Sequence, residues 1–241
     1  MQGRVVLVSG AASGIGAAVV RRLRVAGARV AALDRQVVEG ADATARADLR
    51  SGEEVAEAVR MLEATLGPIQ ALVHCAGICP PGGTLDDDDA LWREVNEVNV
   101  LGALRMLRAV APGMRARGEG AIVLVSSINA RYATPGLAAY AASKAALESL
   151  ARTAALEFAA DGVRVNVIAP ASVDTPMLQA SFARTADPLQ ARARNVQRHP
   201  LGRLGTPEDA AELALFLVSP ASGWITGGMF PLDGGAGVTR R

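Results

Sequence analysis

Arg4-Val5-Val6-Leu7-Val8-Ser9-Gly10-Ala11-Ala12-Ser13-Gly14-Ile15-Gly16 opens the chain's first patterned stretch. The aliphatic run Val5 to Val8 passes straight into a loop with three glycines, and Ile15 starts a segment of helical composition. A strand, a tight glycine turn and a helix in that order let the backbone approach a pyrophosphate while the helix N-terminus supplies donors. The spacing is Gly-x-x-x-Gly-x-Gly rather than Gly-x-Gly-x-x-Gly. Gly10, Ser13, Gly14, Ile15 and Gly16 are therefore the candidate phosphate contacts.

Outward from this loop, short aliphatic runs alternate with helical segments. Strands are predicted at 4–9, 29–33, 45–48, 70–74, 121–126, 164–169 and 229–232, and helices at 15–26, 51–66, 88–116, 139–160 and 207–218. Several strands are unbroken Val, Ile and Leu, as expected when both faces are buried. The class this predicts is α/β, a doubly wound parallel sheet flanked by helices on both faces, in one domain over 1–241. Segment 171–203 lacks a clear period and is too long for an ordinary connection, so it is expected to form a lid or a pair of short helices over a site. The helix at 207–218 carries its own start signals: Thr206 as N-cap, Pro207 next, then Glu208 and Asp209 in the first turn.

Of the 241 residues 50% are hydrophobic and 20% charged, enough to build a sizeable core. Lys+Arg of 25 against Asp+Glu of 24 leaves a formal charge of +1, which argues against nucleic acid or an anionic membrane as partner. No apolar run approaches the ~20 residues of a membrane span, and no signal-peptide pattern is present. Cys75 and Cys79 form neither a disulfide framework nor a zinc pattern, and His74 and His199 stand far apart, so no metal is expected and the expected location is cytoplasmic. The acidic run 86–89 reads as the N-cap and first turn of the helix that follows.

Three positions suggest chemistry before any family is considered. Asp34 ends the second predicted strand, where a carboxylate can accept from both ribose hydroxyls of an adenosine and repel a 2′-phosphate. This favours NAD over NADP, although the neighbouring Arg35 could pair with a phosphate. Lys144 is the single lysine in a chain whose other basic residues are all arginine, and it lies one helical turn after Tyr140, on the same face. Ser127, at the end of the fifth predicted strand, can meet both.

Taken in order, Gly10-x-x-x-Gly14-x-Gly16, Asp48-Leu49, Ala76-Gly77, Asn99, Ser127, Tyr140-x-x-x-Lys144, Asn166-x-Ile168-x-Pro170, Thr175 and Asp233-Gly234-Gly235 resemble the short-chain dehydrogenase/reductase family over about 4–235. The resemblance implies a Rossmann-type fold, a homotetramer packed through 88–116 and 139–160, and a nicotinamide cofactor. It assigns proton exchange to Tyr140, a hydrogen bond to the carbonyl or carbinol oxygen to Ser127, and the ribose to Lys144. Asn99 would hold a water through a helix distortion. Asp34, Arg35, Asp48, Leu49, Ala76, Gly77, Pro170 and Thr175 would line the cofactor. A cation ~4 Å from the phenol at an effective dielectric of ~20 is worth about 4 kcal/mol, so Lys144 is expected to lower the tyrosine by about 3 units.

Departures from the pattern are His74-Cys75 for Asn-Asn, Ser9 for Thr, and Ala130 and Ala171 for Gly; His74 is expected to take over part of the sheet bracing. The implied pocket walls are Ile78, Cys79, Pro80, Asn129, Arg131, Tyr132, Leu137, Ser172, Met177 and Leu178. They are mostly apolar, which favours a hydrophobic or cyclic alcohol or ketone, with Arg131 leaving room for a carboxylate. The short stretch 36–44, without a helix, is similar to dihydrodiol and 2,3-dihydro-2,3-dihydroxybenzoate dehydrogenases. Alternatives are an NADPH-dependent 3-oxoacyl reductase, a non-catalytic NAD-binding regulator or scaffold, and, more distantly, a methyltransferase.

Overall fold

The structure, a computed structural model, describes residues 1–85 and 88–239. Strands β1 (Val5–Ser9), β2 (Arg29–Asp34), β3 (Ala43–Arg46), β4 (Ala71–His74), β5 (Gly120–Val125), β6 (Val163–Pro170) and β7 (Met229–Leu232) form one sheet in the order 3-2-1-4-5-6-7. Every neighbouring pair is parallel. The third strand begins and ends two residues earlier than the sequence predicts, pairing Ala31 with Ala43. Asp48 and Leu49 are thereby released into the loop before α2 (Gly52–Leu66), whose first turn is capped by the Ser51 side chain.

Both faces of the sheet are aliphatic because each is covered. Leu7, Leu72, Ile122, Leu124, Val165 and Val167 pack against Val55, Val59 and Leu62 of α2, Met106 and Val110 of α4 (Gly102–Arg117), and Leu147 and Ala151 of α5 (Ala138–Phe158). The alternate residues Val6, Val8, Val73, Val123 and Ile168 meet Val19, Val20 and Leu23 of α1 (Gly14–Val25) and Ala211, Ala214 and Leu217 of α8 (Pro207–Val218). Thr206 and Asp209 close the capping box of α8.

The predicted single helix over 88–116 is corrected to three pieces: α3 (Asp89–Asn96), a π-helical turn (Glu97–Leu101), and α4. A π turn holds one extra residue, and here it carries Asn99 inward. Asp88 is the N-cap, accepting from the Leu91 N–H, while Asp86 and Asp87 of the acidic run lie outside the described residues. The lid resolves into α6 (Pro176–Ala183) and α7 (Pro188–Gln197), and α9 (Ala236–Thr239) closes the described chain. No helix occupies 36–42, as the sequence suggests. Among the described residues no helix is long and apolar enough to cross a membrane, and no cluster of His, Cys, Asp and Glu could hold a metal.

Candidate active site

β1 and β4 are neighbours, yet the chain leaves them toward opposite edges of the sheet, which opens a crevice at their carboxyl ends. Gly10 leaves β1 at φ +68, and a Cβ there would stand 2.5 Å from the Ala76 nitrogen. At Gly16 a Cβ would come to 2.0 Å from the Gly10 carbonyl oxygen. The glycine loop, the first turn of α1 and the segment after β4 thus meet backbone to backbone. Ser13, the N-cap of α1, makes no side-chain capping bond, so the first-turn amides stay open to an anion.

The crevice widens into a cavity of about 640 Å³. Gly10, Ser13, Gly14, Ile15, Gly16, Asp34, Arg35, Asp48, Leu49, Ala76, Gly77, Pro170 and Thr175 all line it. Asp34 is fixed beside the glycine loop: Oδ2 accepts from the Ala12 N–H at 3.1 Å and Oδ1 from the Gln36 N–H at 2.9 Å. Hydrogen bonds from Arg50 hold the Asp48 carboxyl below the usual carboxylate range. Thr175 caps α6, and its methyl lies 3.3 Å from where a Gly14 Cβ would be. Open amides at a helix start, a glycine cradle and an acid at the end of β2 fit a dinucleotide.

Ser127, Tyr140 and Lys144 line the same cavity. Ser127 begins a 3-10 turn, its Oγ accepting from the Asn129 N–H at 3.1 Å, and it is close enough to Tyr140 to lower the phenol's pKa. Lys144 Nζ donates to the Val125 carbonyl at 2.9 Å and lies 5.7 Å from the centre of the Tyr140 ring. Burial lowers the Lys144 amine to about 8. The same burial pushes Tyr140 above the ordinary phenol value, opposed by the Ser127 side chain. Burial therefore works against the lowering expected from Lys144 and an oxidised nicotinamide together.

Asn99 stands behind the cavity wall rather than in it, fully buried. Its Oδ1 accepts from the Ile78 N–H at 2.8 Å, while Nδ2 donates to the Ile78 carbonyl at 2.9 Å and to Ser143 Oγ at 3.0 Å. Ser143 in turn donates to the Tyr140 carbonyl at 2.7 Å. The π turn is thus tied both to the segment after β4 and to the helix of Tyr140. His74 Nδ1 is 2.7 Å from Ser9 Oγ, bracing β4 to β1 as the sequence suggests, and burial lowers its ring to about 3. Burial raises the thiols of Cys75 and Cys79 to about 12 and about 11, so neither is a thiolate near neutrality.

Of the expected substrate walls, Ile78, Cys79, Asn129, Leu137, Ser172, Met177 and Leu178 line the cavity. Pro80, Arg131 and Tyr132 do not. Arg131 turns away, its Nε 3.5 Å from the buried Glu148 carboxylate of α5 and its Nη2 3.2 Å from Met229 Sδ. A buried acid demands a partner, and Arg131 supplies it. Tyr132 donates to the Gly237 carbonyl at 3.1 Å. The sequence reading missed Phe182, Arg184, Asn195 and Arg198, which also line the cavity from the lid. A signal was there: Thr175-Pro176 and Asp187-Pro188 are both N-cap and first-residue pairs, enough to place α6 and α7 and hence their ends.

A family model described as Enoyl-(Acyl carrier protein) reductase matches residues 10–237. Cis-4-hydroxycyclohexanecarboxylate dehydrogenase of Sinomonas cyclohexanicum is 39% identical over 96% of this chain and 96% of its own. Galactitol 2-dehydrogenase (L-tagatose-forming) of Cereibacter sphaeroides is 39% identical over 98% of this chain and 95% of its own. Among solved structures, levodione reductase superposes with a TM-score of 0.95 at 27% identity, covering 99% of each chain. With its parallel sheet and motifs matched along nearly the whole length, the chain belongs to the short-chain dehydrogenase/reductase family and is an oxidoreductase of the alcohol dehydrogenase and carbonyl reductase type, working with NAD or NADP.

Proposed function

We propose that the protein is an NAD(H)-dependent dehydrogenase that interconverts a secondary alcohol and a ketone on a hydrophobic or cyclic substrate. One observation carries this reading: a single cavity takes in Asp34 and the glycine loop together with Ser127, Tyr140, Lys144 and the lid residues Met177, Leu178 and Phe182. The relative that acts on cis-4-hydroxycyclohexanecarboxylate supports a ring-bearing substrate. The nicotinamide, when bound, supplies or accepts the hydride.

The chain's own residues handle the proton and the oxygen. Ser127 donates to the substrate oxygen and fixes its position. In reduction Tyr140, kept protonated by burial, gives its proton to the carbonyl oxygen; in oxidation it must act as the phenolate, which the Lys144 cation favours against burial, and it then takes the carbinol proton. Lys144, mostly protonated at pH 7 with a value of about 8, binds the ribose and sets the positive potential at the phenol. Asn99 acts as a positioning residue through Ile78 and Ser143. Asp34 accepts from the adenosine ribose, with Gly10, Ser13, Gly14, Ile15 and Gly16 on the phosphates. Arg35, Asp48, Leu49, Ala76, Gly77, Pro170 and Thr175 complete the cofactor walls. Cys79, Asn129, Leu137 and Met177 face the substrate. The assembly we propose is a homotetramer in the cytoplasm, supported by exposed Leu101 and Leu156 in the 97–158 helical region and by two unpaired cysteines.

A 2′-phosphate ~4 Å from Asp34 would meet about 4 kcal/mol of repulsion per unit charge at an effective dielectric of ~20, partly offset by Arg35. Fluorescence titration with NADH and NADPH should therefore show tighter NADH binding in wild type. Asp34→Ala should weaken NADH and relax the preference, and Asp34→Asn removes the charge while keeping an acceptor for one of the two loop N–H groups. Tighter NADPH binding by wild type would instead favour the 3-oxoacyl reductase reading, to which Arg35 and Arg50 at the cavity wall lend support.

A further inference from the structure

The cavity carries more positive charge than a dehydrogenase of neutral alcohols needs. Four arginines line it: Arg35, Arg50, Arg184 and Arg198. Arg50 is paired with Asp48, and Arg35 follows β2 beside Asp34, so both stand where the adenosine is expected. Arg184 and Arg198, both exposed, follow the last residues of α6 and α7 in the lid, at the cavity's outer rim, and Arg198 also borders a second, smaller cavity. The other lid arginines are committed, Arg192 to Asp174, Arg194 to Gln190, and Arg203 to Asp209. Among the described residues neither Arg184 nor Arg198 has a carboxylate partner. The acids lining the cavity are Asp34, Asp48 and Glu94, and none of them forms an ion pair with Arg184 or Arg198.

A guanidinium at the end of a helix suits the dipole, but that alone would keep it along its own helix. Arg184, Cys79 and Tyr140 line the same cavity, so the lid cation shares its space with the phenol. Arg131, the residue in which the sequence suggests room for a carboxylate, is held outside the cavity by Glu148.

We propose that Arg184 and Arg198 form an anion subsite, and that the substrate is a secondary alcohol or ketone bearing a carboxylate, with its carbinol or carbonyl oxygen at Ser127 and Tyr140 and its carboxylate at the lid. This rests on the dehydrogenase reading above and narrows it. Pairing the carboxylate with two guanidinium groups at the rim supplies charge-assisted hydrogen bonds, and the apolar walls between the two ends accept a ring or short aliphatic spacer.

The test compares cis-4-hydroxycyclohexanecarboxylate with its neutral methyl ester. Wild type should prefer the acid in kcat/KM, and Arg184→Gln and Arg198→Gln should each lower the acid-to-ester ratio by about 10-fold or more, the loss lying mainly in KM for the acid. A second measurement is calorimetric binding of cyclohexanecarboxylate, expected in wild type and lost in both variants. Equal turnover of acid and ester by wild type, or a ratio unmoved by both substitutions, would overturn the subsite while leaving the dehydrogenase reading intact. Turnover of neither compound would count against the dehydrogenase reading, and the calorimetry would then decide the subsite by itself: binding that survives in both variants rejects it.

Discussion

Tyr140, Lys144 and His74 are three titratable groups under one constraint, removal from water, and each moves toward its neutral form. Tyr140 rises, Lys144 falls to about 8, and His74 falls to about 3. For His74 the consequence for stability has a definite sign. Its ring protonates near 6.5 in the unfolded chain but only near 3 in the folded protein. Below pH 6.5 the unfolded state binds more protons, so stability is complete above that value and falls as pH drops toward 3. Denaturant unfolding should lose about 3 kcal/mol between about pH 6.5 and about pH 4 through this group, and His74→Asn should flatten that part of the profile. An unchanged slope in the variant would assign the acid sensitivity elsewhere. The lone lysine was legible because it broke the chain's arginine habit. The upward position of Tyr140 was not, because a sequence supplies the neighbouring charge but not the degree of burial.

At the scale of elements, the strand and helix order was readable because the central strands are aliphatic on both faces and several helices announce their start, as Thr206-Pro207 does for α8. Two features were not readable from the residue pattern itself. The π turn at Glu97–Leu101 leaves the apolar period nearly intact, so 88–116 reads as one helix and only the family resemblance implied a distortion at Asn99. The displacement of β3 likewise depends on which residues Ala31 and Leu33 find opposite them, and a four-residue strand carries too little pattern to fix that. The π turn has a measurable role. Asn99→Ala removes three hydrogen bonds and leaves the Ile78 amide and carbonyl without those partners. It should cost about 2–4 kcal/mol in chemical denaturation and lower kcat by loosening the Ile78 and Tyr140 backbones. A variant as stable and as active as wild type would mean that the turn's geometry is held by packing alone.

For the whole molecule, the surface contributes little to specificity of fold. Its ion pairs, such as Arg21–Glu208 between α1 and α8, are largely exposed, and pairs of that kind are worth at most about 1 kcal/mol. What organises the protein is the doubly covered sheet, which brings residues from five separate stretches, around Gly10, Asp34, Gly77, Ser127 and Tyr140, to one cavity. That convergence could be anticipated from the motifs, while the lid arginines could not, since two helix ends in a segment without period give no sign of which way they face. The proposed interconversion of a secondary alcohol and a ketone with NAD turns on Tyr140. The most direct measurement is steady-state oxidation of cis-4-hydroxycyclohexanecarboxylate with NAD by wild type and Tyr140→Phe, with NADH binding measured on both. The prediction is turnover by wild type, unchanged NADH affinity in the variant, and a loss of about 10²–10⁴-fold in kcat. Retention of the wild-type rate by a variant that binds NADH normally would contradict it.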